Sequence, residues 1–201
     1  EPTGQVVWAL DIARFGSDRS CLIKRQGNFV MDDIKVWQGK DLMQLCGLVH
    51  AEFLMEPDER RPVEIMCDVI GLGAGAVDRL CEMGLPARGV NVSEASTVKE
   101  KYLNRRAELW FALREWFMAR DCRIPDDPTL VAELTAPRYQ FTSAGKLKIE
   151  GKDEIRKRLS RSCDVADSLM LSMESPAIAS FALGGASGWH APINYPDLGI
   201  V

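Results

Sequence analysis

Residues 5–12 read Gln-Val-Val-Trp-Ala-Leu-Asp-Ile, and residues 63–69 read Val-Glu-Ile-Met-Cys-Asp-Val. Both are short, β-branched and almost continuously apolar, as expected of strands covered on both faces. Each is broken near its end by one carboxylate, Asp11 in the first and Asp68 in the second. Between them the pattern is that of a meander. Ser20–Arg25 is a second strand, Gly27-Asn28 a turn, and Phe29–Trp37 a third strand ended by Gly39. Leu42, Leu45, Val49 and Phe53 then fall at helical spacing, and that helix stops before Pro57.

Beyond the second apolar strand, Gly71-Leu72-Gly73-Ala74-Gly75 leads into a helix over Ala76–Met83, and Ala87–Val92 is a further strand. A long helix is predicted over Val98–Arg120. It is followed by an extended piece at Cys122–Pro125 and a short helix at Pro128–Leu134. Tyr139–Thr142 and Lys146–Glu150 flank Ser143-Ala144-Gly145, a hairpin signal, and a last helix runs from near Asp164 to Pro176. Three antiparallel strands followed by strand–helix units imply an α/β fold. Its mixed central sheet carries helices on both faces. Residues 176–201, rich in Gly, Ser and Pro, read as an extended tail after a domain over 5–175.

Composition narrows the chemistry. The 201 residues are 46% hydrophobic and 27% charged, enough for one domain with a real core. No apolar run approaches the roughly 18 residues needed to span a bilayer, and the start, Glu1-Pro2-Thr3, is not a signal peptide. Without an initiator Met, the sequence is expected to be a piece of a longer chain. Six scattered cysteines with no Cys-x-x-Cys pair read as free thiols of a reducing compartment. Only two histidines exist, His50 and His190, so catalysis must lean on carboxylates.

The candidates are Asp11, Asp68 and the pair Asp164 and Asp167, three apart at the start of an amphipathic helix. Crowded carboxylates repel and take up protons unless a cation lies among them, and hard oxygen ligands favour Mg²⁺ or Mn²⁺ over zinc. Each acid also has an ordinary structural reading. Asp11 could form a strand-end turn, Asp68 could cap the glycine loop, and Asp164 with Asp167 could serve the helix N-terminus. The spacing Gly71-x-Gly73-x-Gly75 evokes a dinucleotide fingerprint. Its third glycine is displaced from that motif, however, and an opening meander is not a Rossmann start.

Charge is segregated. Between Arg138 and Cys163 eight basic residues face three acidic ones, a local +5 in a chain of net −4. Such a patch suits a polyanion. Lys146, Lys148, Lys152, Arg156, Lys157, Arg158 and Arg161 are the candidate polyanion-binding residues.

Several stretches together carry a family resemblance. They are Trp8-Ala9-Leu10-Asp11-Ile12-Ala13 with Gly16-Ser17-Asp18-Arg19-Ser20; Met66-Cys67-Asp68-Val69 with its glycine loop; Asn104-Arg105-Arg106-Ala107-Glu108-Leu109-Trp110; and Lys146-Leu147-Lys148-Ile149-Glu150 leading to Cys163-Asp164-Val165-Ala166-Asp167-Ser168-Leu169. In this order they resemble the nuclease domain of phage large terminase subunits, of the RNase H/resolvase-like superfamily. Cys163 and Ser168 depart from that family's usual small residue and Ala, and neither change touches a carboxylate.

The resemblance implies a metal-dependent endonuclease cutting concatemeric double-stranded viral DNA during packaging in the cytoplasm of an infected bacterium. It also implies an ATPase motor domain in the same full-length chain, with the portal and the small terminase subunit as partners. No Walker A sequence occurs here, so translocation lies outside these residues. Two Mg²⁺ or Mn²⁺ ions about 4 Å apart would serve the cleavage. Asp11 would bridge them, Asp68 would hold one and Asp164 with Asp167 the other, with Asp18 an outer candidate. A non-catalytic DNA-binding scaffold and a Holliday-junction resolvase of the same fold stand as alternatives.

Overall fold

A computed structural model describes residues 2, 4–13 and 19–175. The tail over 176–201 and Asp18 lie outside the described residues.

Strand β1, Val6–Asp11, is buried along its whole length and sends alternate side chains to two separate cores. Val7 and Ala9 face one core, while Val6, Trp8 and Leu10 face the other. This double burial explains the continuous apolar run. β2, Arg19–Gln26, pairs antiparallel with β1, and β5, Glu64–Asp68, pairs parallel on its other side. β6, Ala87–Val90, extends the parallel half. The sheet is therefore mixed, as the pattern of short turns and helical crossovers implied.

The third strand does not run unbroken over Phe29–Trp37. It forms β3, Phe29–Val30, and β4, Lys35–Gln38, both paired to β2. Met31 N still bonds to the Lys24 carbonyl at 2.9 Å, and residues 32–34 leave the ladder for an electrostatic reason. Lys24 is only 2% exposed, and its ammonium binds the carboxylates of Asp33 at 3.2 Å, Glu52 at 2.9 Å and Glu56 at 2.9 Å. A buried cation must be paired, and turning Asp33 toward it takes precedence over strand pairing.

Two helices cover one face of the sheet. α1, Leu42–Met55, starts in a capping box built by Asp41 and Gln44, and packs Leu45 and Val49 inward. α2, Gly73–Glu82, adds Ala76 and Leu80. It begins three residues before the expected start, because its first turn is wound from the glycine loop itself. Gly71 has φ of +85°, and a Cβ on Gly73 would collide with the carbonyl oxygen of Asp68. The loop can hug the end of β5 only with glycine there.

The other face carries α3, Arg105–Met118, α4, Pro128–Thr135, and α6, Asp164–Leu171, around Leu109, Leu113, Leu130 and Leu169. α3 is shorter than the predicted Val98–Arg120. Asn104 caps it by accepting from Ala107 N at 3.0 Å. Glu108 reaches back to Ser96 Oγ and Thr97 N, both at 2.8 Å, and so fixes residues 96–103 as turns. β7, Tyr139–Phe141, and β8, Leu147–Ile149, form the expected hairpin, apart from the main sheet. A basic helix α5, Lys152–Leu159, joins it to α6. All six cysteines are free, four of them buried. No helix among the described residues is long and apolar enough to cross a membrane.

Candidate active site

Parallel pairing sets Leu10 opposite Cys67, which leaves Asp11 and Asp68 next to each other at the carboxyl ends of β1 and β5. Open α/β sheets commonly place their sites at such strand ends. Asp68 Oδ1 accepts from Ile70 N at 3.0 Å and so also holds the turn into the glycine loop. The ordinary loop-capping reading of Asp68 is therefore correct for one of its oxygens.

The other pair arrives from the far end of the sequence. α6 lies across β1 and β2, and Ser168 Oγ is 2.7 Å from the carbonyl of Ala9 and 3.2 Å from that of Cys21. The hydroxyl at this position thus docks the helix on the sheet, one turn from Asp164. Asp164 is 5% exposed and Asp167 4%. Cys163, at the N-cap, supplies no side-chain cap. The cap comes from α4. Glu133, fully buried, accepts from Val165 N at 2.8 Å and Ala166 N at 3.1 Å. Glu133 also pairs with Arg19 at 3.1 Å and Arg161 at 3.4 Å, and Arg19 Nε reaches Asp164 Oδ2 at 3.3 Å. Burial pushes the Glu133 carboxyl above the usual glutamate range.

The two pairs meet in one cleft of about 440 Å³. Asp11, Asp68, Asp164, Arg106, Lys152 and Arg156 line it, and Asp167 lines a smaller recess that shares Asp11, Asp68, Arg106 and Lys152 with it. Asp11 is 8% exposed, and its pKa rises to about 7. Burial is the main cause; Lys152 opposes it, and Asp167, Asp164 and Asp68 add to it. Lys152 Nζ stands 2.9 Å from Asp167 Oδ2, and its pKa is raised chiefly by Asp11. Arg106 Nη2 is 3.6 Å from Asp167 Oδ1, a buried oxygen with no hydrogen-bond partner.

These residues fit a hard divalent cation in donor chemistry: four carboxylates, one already pushed toward protonation and one with an orphaned oxygen. Among the described residues no three His, Cys, Asp or Glu side chains converge closely enough to hold an ion as they stand. The ammonium of Lys152 supplies the positive charge that the cluster requires.

The basic candidates divide. Lys146 and Lys148 stand partly exposed on or beside the β7–β8 hairpin, and Arg156 lines the cleft. Lys157 pairs with Glu154 at 2.9 Å, and Arg158 binds Glu150 and the carbonyl of Ala136. Arg161 leans on Glu133, and Lys152 sits among the acids. Sequence reasoning did not single out Arg19, Arg106 or Glu133. One signal existed for Glu133, an acid three residues after Leu130 on the apolar stripe of a short helix.

No family model matches the chain, and no curated relative does. Solved structures do. The nuclease domain of the large terminase subunit gp2 of bacterial virus Sf6 aligns over 88% of this chain and 90% of that one, at TM-score 0.74 and 24% identity. A structure of that domain with manganese aligns at TM-score 0.72 and 23% identity, over 88% and 91%. The large terminase nuclease from thermophilic phage G20c aligns over 85% and 83%, at TM-score 0.61 and 15% identity. The mixed sheet, its flanking helices and these likenesses together give the chain the RNase H-like fold of the nuclease domains of phage large terminase subunits.

Proposed function

We propose that this chain is a divalent-metal-dependent endonuclease that cleaves double-stranded DNA during phage genome packaging. The observation that carries this reading is the convergence of Asp11, Asp68, Asp164 and Asp167, from three distant segments, in one cleft. Crowding three buried acids against a half-buried fourth is costly, and no structural need accounts for all four. The likeness to solved terminase nucleases, some with manganese or magnesium, supports the same reading.

Asp11, which interacts electrostatically with the other three acids, would be shared by two Mg²⁺ or Mn²⁺ ions, with Asp68 on one and Asp164 and Asp167 on the other. Bound there, such ions would supply Lewis-acid stabilisation and ease deprotonation of the water that attacks phosphorus. The chain's own residues prepare the place. Glu133 and Ser168 fix α6, Arg19 orients Asp164, and the glycine loop holds Asp68 at the strand end. Lys152 neutralises the cluster until the acids are shared with another cation. Lys146 and Lys148 on the hairpin, with Arg156 at the cleft, would take backbone phosphates of the duplex. The motor domain of the full-length chain would feed that duplex, with the portal and small terminase subunit as further partners.

Plasmid cleavage with Mn²⁺, Mg²⁺ and EDTA side by side tests the proposal. Nicking that requires metal and disappears in Asp11→Ala supports it. Metal-independent DNA affinity without cleavage would favour a scaffold, and preference for a four-way junction over linear duplex would favour a resolvase.

A further inference from the structure

Arg106, in the first turn of α3, is a largely buried cation whose donors are only partly used. Its side chain is 11% exposed. Nη1 donates to the carbonyl of Glu150 at 2.9 Å. That anchor is itself held: Glu150 N donates to Arg138 O at 3.0 Å, and its carboxylate accepts from Arg138 N at 2.8 Å and binds Arg158. The remaining edge of the guanidinium, Nε with Nη2, makes no hydrogen bond. The residue lines the cleft and its smaller recess, beside Asp11, Asp68 and Asp167.

Two parallel N–H donors on one edge of a guanidinium match two oxygens of a phosphate, a geometry that a lysine cannot offer. Leaving both unused in a buried place is unfavourable unless something else takes them up. Asp167 does not take them up, since its nearer oxygen lies at 3.6 Å and is itself unpartnered.

We infer, resting on the nuclease reading above, that Arg106 is a catalytic residue whose Nε–Nη2 edge binds the non-bridging oxygens of the scissile phosphate. In hydrolysis a water oxygen bonds to phosphorus as the bond to the 3′ oxygen breaks; the water gives up a proton and the 3′ oxygen gains one. Negative charge on the non-bridging oxygens is greatest midway, and a fixed fork aimed there stabilises that state more than the bound duplex. Lys152 cannot replace it, because it is a point charge on a half-exposed stem already paired with Asp167.

The experiment compares wild type, Arg106→Ala, Arg106→Lys and, as a control on the same helix, Arg114→Ala, an exposed arginine paired with Glu115. Supercoiled plasmid nicking gives kcat and KM, and inorganic phosphate is titrated by calorimetry in Mg²⁺. Expected for both Arg106 variants is a loss of about 100-fold or more in kcat, with KM changed less than about threefold, and phosphate affinity down about tenfold. Arg114→Ala should keep kcat, KM and phosphate affinity. If Arg106→Ala fails to fold, Arg106→Lys carries the comparison. Wild-type protein that binds no phosphate, or an Arg106→Lys variant with wild-type kcat and phosphate affinity, would overturn the assignment. If no metal supports cleavage by wild type, the nuclease reading falls, while the phosphate titration still decides whether Arg106 holds this anion.

Discussion

Replacing Asp11 by Asn should stabilise the metal-free protein, and by an amount that grows with pH. Asp11 ionises at about 7 in the fold and near 3.8 when exposed, so the folded state disfavours its charge. The sign follows directly. A carboxyl with a raised folded value stays protonated in the fold while the unfolded chain gains from ionising. Its contribution to stability is full below pH 3.8 and is lost progressively until the pH passes about 7. Each pH unit in that window costs about 1.4 kcal/mol relative to a neutral isostere. Between pH 5.5 and pH 8.5 the advantage of Asp11→Asn should therefore grow by about 2 kcal/mol and level off above pH 7. For a domain of this size that is roughly 4–8 °C in Tm. Urea or thermal unfolding in EDTA, at half-unit pH steps, measures it. Added Mn²⁺ should reverse the order, raising the Tm of wild type more than that of the variant. An Asp11→Asn protein no more stable than wild type at pH 8.5 in EDTA would refute the reasoning that burial, aided by the neighbouring acids, disfavours the charge of Asp11.

Other outcomes follow from named contacts. Glu133→Ala leaves two buried N–H groups of α6 without their acceptor and removes one of the two carboxylate partners of Arg19, and should cost about 3 kcal/mol in chemical denaturation, with Glu133→Gln milder. Ser168→Ala removes the hydroxyl between α6 and two strand carbonyls and should cost about 1 kcal/mol with the fold retained, read from the urea midpoint. Neutralising Lys146 and Lys148 together should weaken duplex binding equally across sequences and lower the slope of log K against log salt by about 0.9 per lost contact. Unchanged slopes would reassign the hairpin to a protein partner. Gly73→Ala forces a Cβ into the Asp68 carbonyl, so circular dichroism and Tm should show a protein markedly less stable than wild type.

The amino-acid sequence determined a great deal by itself. A strand must bury both faces to tolerate the run Val6–Leu10, short turns must join antiparallel neighbours, and helical crossovers must join parallel ones. The mixed sheet follows from those local rules, whereas the pairing of β1 with β5, which sets Asp11 beside Asp68, was decided by the tertiary structure. Local rules also erred where a distant side chain intervened. Lys24, buried far from any sequence neighbour of opposite charge, bent the third strand at Asp33, and Glu108 folded back to shorten α3. Tertiary structure alone decided the environment of the acids. The cap of α6 comes from Glu133, more than thirty residues upstream, and the counter-charges come from Lys152 and Arg106 on two other helices. Those pairings depend on three-dimensional distance and on the low dielectric of a buried cleft, and neither quantity is written in the spacing of residues along a chain.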